Sequence, residues 1–189
     1  MPPLWFPWVL LGFMLLGESP SWRQYGRRWA RSSQDRSSAL LSAAVGIPCG
    51  LAAVVLAPWA RDVSWMALPG PVAWSGVALV VLGTALRAWS MTVLGRYFTL
   101  TVQVSAGQPV IERGPYRVLR HPSYAGGELA LLGVGLTLAA WPSTVLFAVP
   151  FILAHLHRIR SEEAALATTL GEPYVAYMRR TWRLVPWVW

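Results

Sequence analysis

Long apolar stretches recur along this sequence, and most of them end at a cluster of arginines. A helix needs about 20 apolar residues to cross a bilayer, because no water is present there to satisfy backbone N–H and C=O groups. Five segments have this character: residues 4–17, 39–60, 71–94, 126–140 and 143–157. The first is short, and it invites comparison with a signal peptide. No arginine precedes it, however, and no A-x-A cleavage pattern follows, so it reads as a short first helix. The expected fold class is therefore all-α and integral to the membrane, with one domain over residues 1–189 and five transmembrane helices.

Composition supports the same class. Hydrophobic residues make up 55% of the chain and charged residues 13%, whereas soluble domains carry roughly 25% charge. The formal charge is +8, and a strongly basic chain raises the question of nucleic acid. Here the arginines sit at the ends of apolar segments, which is the pattern of membrane topology, so no nucleic-acid partner is expected. Fourteen of them fall between segments one and two, between three and four, or after five; Arg61 stands alone between two and three, and Arg87 lies within the third. The positive-inside rule then places the N-terminus outside and the C-terminus in the cytoplasm of a multi-pass cell-membrane protein.

Polar residues concentrate in two pieces, one before the fourth segment and one after the fifth. In the first, residues 98–104 alternate with period two, 105–108 reads as a turn and 109–111 as a return, which together predict a cytoplasmic hairpin. Arg113-Gly114-Pro115-Tyr116-Arg117 and Arg120-His121-Pro122-Ser123-Tyr124-Ala125-Gly126 follow. The second piece continues the fifth helix through Arg158 and Glu162-Glu163, stops at Gly171 and restarts at Glu172-Pro173. Neither is long enough for a separate nucleotide-binding domain. The one G-x-G, Gly133 to Gly135, lies within an apolar helix and reads as a packing feature.

Other polar residues have plainer readings. Arg113, Arg117, Arg179 and Arg183 read as topology and lipid-headgroup residues. Arg87 either snorkels to the membrane face or pairs with Glu128, and Glu128 is expected in the first turn of the fourth helix, where the dipole favours a carboxylate. His155 and His157 lack partners at zinc-site spacing, so no metal is expected.

Together the two polar pieces resemble the isoprenylcysteine carboxyl methyltransferase family. The resemblance rests on Gly114-Pro115-Tyr116-Arg117, Arg120-His121-Pro122-Ser123-Tyr124 and Gly126, then Glu162-Glu163, Leu166, Gly171-Glu172-Pro173-Tyr174, Tyr177, Arg180 and Pro186. It covers residues 94–186, and the lead-in 94–100 looks like bacterial members. Thr181-Trp182 stands where eukaryotic members usually have Val-Pro. The resemblance implies S-adenosylmethionine (SAM) as cofactor, with the hairpin loop and C-terminal helices forming its site. It assigns Arg120, Glu163 and His121 to catalysis and His121, Pro122, Tyr124, Tyr116, Glu162, Tyr174, Tyr177 and Arg180 to cofactor binding. It implies methyl transfer to a lipidic or lipidated acceptor, like the carboxyl O-methylation of isoprenylcysteine, with membrane lipids as neighbours. A phospholipid or lipid-phenol methyltransferase, an NADPH-dependent membrane reductase of the sterol-reductase type and a non-catalytic membrane binding protein are the rival readings.

The charge asymmetry generates a direct test. In sealed spheroplasts, a cysteine introduced at Pro3 reacts with an impermeant maleimide, and one introduced at Val188 reacts only after lysis. Labelling in the reverse order would refute the expected orientation.

Overall fold

The computed structural model describes residues 1–17, 36–98 and 108–188, with the backbone alone for 36–43 and 96. Six α-helices form among them: α1 (Phe6–Gly17), α2 (Arg36–Asp62), α3 (Gly70–Leu94), α4 (Pro122–Thr137), α5 (Trp141–Leu170) and α6 (Glu172–Arg180). Two short 3-10 turns, Gly95–Tyr97 and Gly114–Arg117, lie between α3 and α4. Most of the expected hairpin lies outside the described residues, and 109–111 forms no strand.

Segments from α2, α3 and α5 are long and apolar enough to cross a membrane; α1 is a shorter apolar helix. Their outward faces match that reading. Val55 is 75% exposed, and Leu82 and Leu153 are each 60% exposed. Such side chains facing outward along whole helices suit hydrocarbon and not water. Pro48 and Pro58 lie inside α2 without ending it. The core is a thin apolar seam of Leu10, Ala53, Ala57, Val80, Val134, Leu138 and Phe147.

The tightest joint is between antiparallel α3 and α4, and glycine makes it possible. A Cβ built on Gly83 would lie 2.5 Å from the Gly126 carbonyl oxygen, and one on Gly126 would lie 2.6 Å from that of Gly83. Gly76 and Gly133 face each other in the same reciprocal way two turns away. Small residues at this spacing let two backbones approach within van der Waals contact, the main source of helix association where lipid removes the hydrophobic drive. Gly135 instead packs its α-carbon against Thr144 of α5, so both glycines of the G-x-G serve packing.

Two boundaries differ from the sequence reading. The fourth segment begins at Pro122, not at 126, so His121 is the residue that enters the helix and Pro122 occupies its first turn. Proline is favoured there because its missing N–H would have no helical partner. Glu128 consequently lies in the second turn, out of reach of the terminal dipole. Trp141-Pro142 likewise starts α5; the turn from α4 is made by residues 138–140, with Ala139 at φ 56°. Arg61 closes this end, donating to the carbonyls of Leu138 (2.7 Å) and Thr137 (3.2 Å) at the C-terminus of α4. The one arginine on the charge-poor side thus caps a helix.

Gly83→Leu and Gly126→Leu should each lower the melting temperature in detergent by about 5 °C or more, since over-packing a close joint costs roughly 1–3 kcal/mol or more. Gly70→Ala, where nothing lies within 4 Å of the added carbon, should leave it unchanged. Equal effects at the three sites would contradict the packing argument.

Candidate active site

The segments flanking α4 and following α6 meet at the end of the bundle opposite Arg61. A short parallel bridge pairs Leu119 with Trp182. Trp182 N–H donates to Val118 (2.9 Å), Arg120 N–H to Trp182 (2.7 Å) and His121 N–H to Arg183 (3.1 Å). Residues some sixty positions apart are thereby held side by side by their main chains.

Glu163 sits at the centre of this junction, 4% exposed. Its Oε1 accepts from Arg120 Nε at 2.8 Å and lies 3.2 Å from His121 Nε2. Its Oε2 accepts from Arg183 Nε at 2.8 Å, with Arg183 Nη2 2.6 Å away. Burying a carboxylate is expensive unless it is paired and hydrogen-bonded, and both oxygens here are. Arg120 is fixed further: Nη1 donates to the carbonyls of Met178 (2.8 Å) and Thr181. Its Nη2 makes no bond among the described residues.

A cavity of about 730 Å³ opens beside the junction. Tyr116, Arg120, His121, Tyr124, Glu162, Tyr174 and Tyr177 all line it, so seven of the residues singled out by the resemblance converge on one space. Pro122, Glu163 and Arg180 do not line it. Pro122 is buried in the first turn of α4. Arg180 is exposed and forms a fork on Glu112, with Nε 3.1 Å from Oε2. The paired glutamates divide their work because neighbouring helical residues point about 100° apart. Glu162 faces the cavity, where it accepts from the Tyr124 hydroxyl at 3.0 Å, while Glu163 turns into the arginine cluster.

Tyr177 braces the wall through its hydroxyl, which donates to the carbonyls of Tyr116 (2.8 Å) and Leu119 (3.2 Å). Burial pushes the phenols of Tyr116, Tyr174 and Tyr177 well above their ordinary value, and the nearby glutamates raise Tyr116 and Tyr174 further. All three remain neutral hydroxyls at physiological pH.

The other end of the same cavity is apolar. Trp8, Leu11 and Leu15 of α1 line it together with Leu131 and Phe151. One space therefore joins a charged, aromatic end to a hydrocarbon-like end.

Two features escaped the sequence reading. Arg183, read as a headgroup residue, is the second cation on Glu163. Glu128 pairs with His155 Nδ1 across the α4–α5 hairpin, and Arg87 donates to Ser123 at 3.1 Å. Ionisable groups inside apolar segments were the available signal, but their partners depend on helix rotation.

Glu163→Ala should cost about 3–5 kcal/mol of stability by stranding two part-buried guanidinium groups on an emptied site, while Arg180→Ala, at an exposed ion pair, should leave stability close to that of the wild type. Denaturant unfolding in micelles compares the two, and similar losses would contradict the arrangement. Alkaline titration gives a second test. Unfolded phenols lose their protons near pH 10; the buried ones keep theirs. The folded state then holds more protons than the unfolded state, so stability present below pH 10 is lost as pH rises further. Ultraviolet absorbance should show at least three of the six tyrosines ionising only on unfolding; six titrating together near pH 10 would refute their burial.

Comparison with known proteins follows from this geometry. Residues 76–168 match the sequence model of the isoprenylcysteine carboxyl methyltransferase (ICMT) family. The uncharacterized protein YpbQ of Bacillus subtilis is 33% identical over 94 residues, 49% of this chain and 56% of that protein. Protein-S-isoprenylcysteine O-methyltransferase B of Arabidopsis thaliana is 31% identical over 115 residues, 60% of this chain and 58% of that protein. The chain thus spans less than three-fifths of the length of these relatives. The solved structure of the eukaryotic intramembrane Ras methyltransferase ICMT superposes with a TM-score of 0.58 at 20% identity, covering 81% of this chain and 53% of that one. That likeness establishes a shared membrane fold. The matched segment includes Arg120 and His121 at the entry to α4, α4 itself and nearly all of α5 with Glu163, so the likeness to the isoprenylcysteine carboxyl methyltransferase family falls on the elements that build the site.

Proposed function

We propose that this chain is an integral-membrane methyltransferase that uses SAM and acts on a lipidic acceptor. The observation that carries the reading is the two-ended cavity, with Arg120 anchored through Nε and Nη1 and its Nη2 left over at the polar end.

The residues present fit the cofactor. A sulfonium cation and an adenine are both held well by aromatic faces, and Tyr116, Tyr124, Tyr174 and Tyr177 supply them as neutral rings. Glu162 offers carboxylate oxygens to an ammonium group or to ribose hydroxyls. Arg120 Nη2 offers a donor to a carboxylate. Glu163, held by two arginines and His121, serves to position Arg120. When bound, SAM supplies an electrophilic methyl group on a positively charged sulfur.

What remains for the chain is to orient the acceptor and exclude water, because in-line displacement gains most from positioning. The apolar side chains of α1 and α5 fit a hydrocarbon tail, and the polar end then receives the acceptor head. A carboxylate head has a reference pKa near 4 and arrives already ionised, so its methylation needs no base. We place the polar end in the cytoplasm, where SAM is available, on the strength of the arginine asymmetry. The acceptor then enters from the bilayer, either as a small lipid or as a lipidated protein.

Two measurements test this. The demethylated product of SAM should raise the melting temperature of the detergent-solubilised protein, and NADPH should not. Glu162→Gln should weaken that binding about tenfold with the apo melting temperature within about 2 °C. Stabilisation by NADPH alone would retire the proposal in favour of a reductase. Transfer of a radiolabelled methyl group from SAM into membrane extracts identifies the acceptor fraction.

A further inference from the structure

We infer that the Glu128–His155 pair is a general base for an acceptor that must lose a proton, and that this acceptor is a phenol carried on an apolar body. The inference rests on the methyltransferase reading and narrows its substrate.

Glu128 on α4 accepts from Nδ1 of His155 on α5. That bond fixes the tautomer with the proton on Nδ1, and a base needs its lone pair on the opposite nitrogen. Nε2 has no partner among the described residues, and His155 lines the cavity. The carboxylate is part-buried, its side chain 12% exposed, and its buried Oε2 has no hydrogen-bond partner among the described residues. A charge kept at that cost beside one imidazole can stabilise the imidazolium that forms when Nε2 takes a proton. The groups that face His155 come from every side. Tyr124 of α4 stacks edge-on at 5.3 Å, and the Arg158 guanidinium lies 6.0 Å from the Tyr124 ring. Glu162 of α5 and Arg87 of α3 line the same cavity. α1 carries no ionisable side chain, and α2 carries only Cys49 between Ala44 and Ala60. Glu128 is the carboxylate that touches the ring.

Of the other candidate bases, Glu162 accepts from the Tyr124 hydroxyl and is assigned to the cofactor, and Glu163 and His121 are engaged with each other. Both oxygens of Glu163 are taken by cations, and His121 is turned toward that same carboxylate. A carboxylate acceptor would have no use for a base, whereas a phenol with a reference pKa near 10 is protonated at pH 7. Tyr124 stands against His155, and the same cavity is lined by Trp8, Phe98 and Phe151, flat surfaces suited to an arene. In the transfer, the phenol oxygen forms a bond to the methyl carbon with one of its electron pairs. The carbon–sulfur bond breaks, and its pair stays on sulfur, which becomes a neutral thioether. The phenol proton passes to His155 Nε2, and the imidazolium beside Glu128 later releases it to water.

The test compares para-nonylphenol with dodecanoic acid as acceptors for wild type, His155→Ala and Glu128→Gln in micelles. Both variants should lower the ratio of phenol to carboxylate methylation about 100-fold, the scale of general-base catalysis. Added imidazole should restore part of the phenol rate in His155→Ala, a rescue that a purely structural role would not give. In the apo wild type, 15N spectra of the three histidines should show one locked in the Nδ1–H tautomer, and Glu128→Gln should change that resonance. Binding of the demethylated cofactor should persist in both variants. An unmoved acceptor ratio with that binding intact would overturn the base and leave the methyltransferase reading standing. Failure of wild type to bind the demethylated cofactor would sink the underlying reading itself.

Discussion

The buried carboxylate of Glu163 is what the rest of the polar end is built around. It draws two guanidinium groups and an imidazole from three stretches of chain: the turn before α4, the N-cap of α4 and the tail after α6. A carboxylate in such surroundings is tolerable only with its oxygens satisfied, so the ion cluster and the short backbone bridge from 118 to 183 must form together. Arg120 reaches the cavity in one orientation because two of its nitrogens are already bound.

The membrane part answers a different constraint. Lipid gives no hydrophobic reward for helix pairing, so α3 and α4 associate through backbone contact at Gly76, Gly83, Gly126 and Gly133. This joint sets the rotation of α4, and with it the direction of Tyr124 and Glu128 one and two turns into the helix. The α4–α5 hairpin then carries His155 and Glu162 to the same space. Packing at one face of α4 thereby determines the chemistry presented at the other.

Much of this was legible in the residues themselves. The apolar segments announced the helices because hydrocarbon forces every backbone bond to close within the segment. The motifs at Arg120-His121-Pro122 and Glu162-Glu163, singled out by the family resemblance, do come together at one junction, as charges next to a membrane helix must when they are kept only with partners. Less was legible where a neighbour decides. Nothing along the chain distinguishes Arg183 from Arg179, yet the first is sequestered on Glu163 and the second lies exposed beside Glu172 at 3.6 Å. The helix start at Pro122 was readable in principle, since proline favours a first turn, but the run of Arg, Gly, Pro and Tyr from 113 to 126 reads as a turn ahead of the apolar segment.

By itself, the sequence determined the class of fold, the number of apolar segments, the end of the bundle that would carry charge and the family that the chain resembles. These follow from composition and spacing, which act locally along the chain. Tertiary structure decided which glutamate meets the cavity, which arginine is structural and that Glu128 holds His155. Those outcomes depend on helix rotation about an axis, and a rotation is fixed by packing between residues that the sequence leaves far apart.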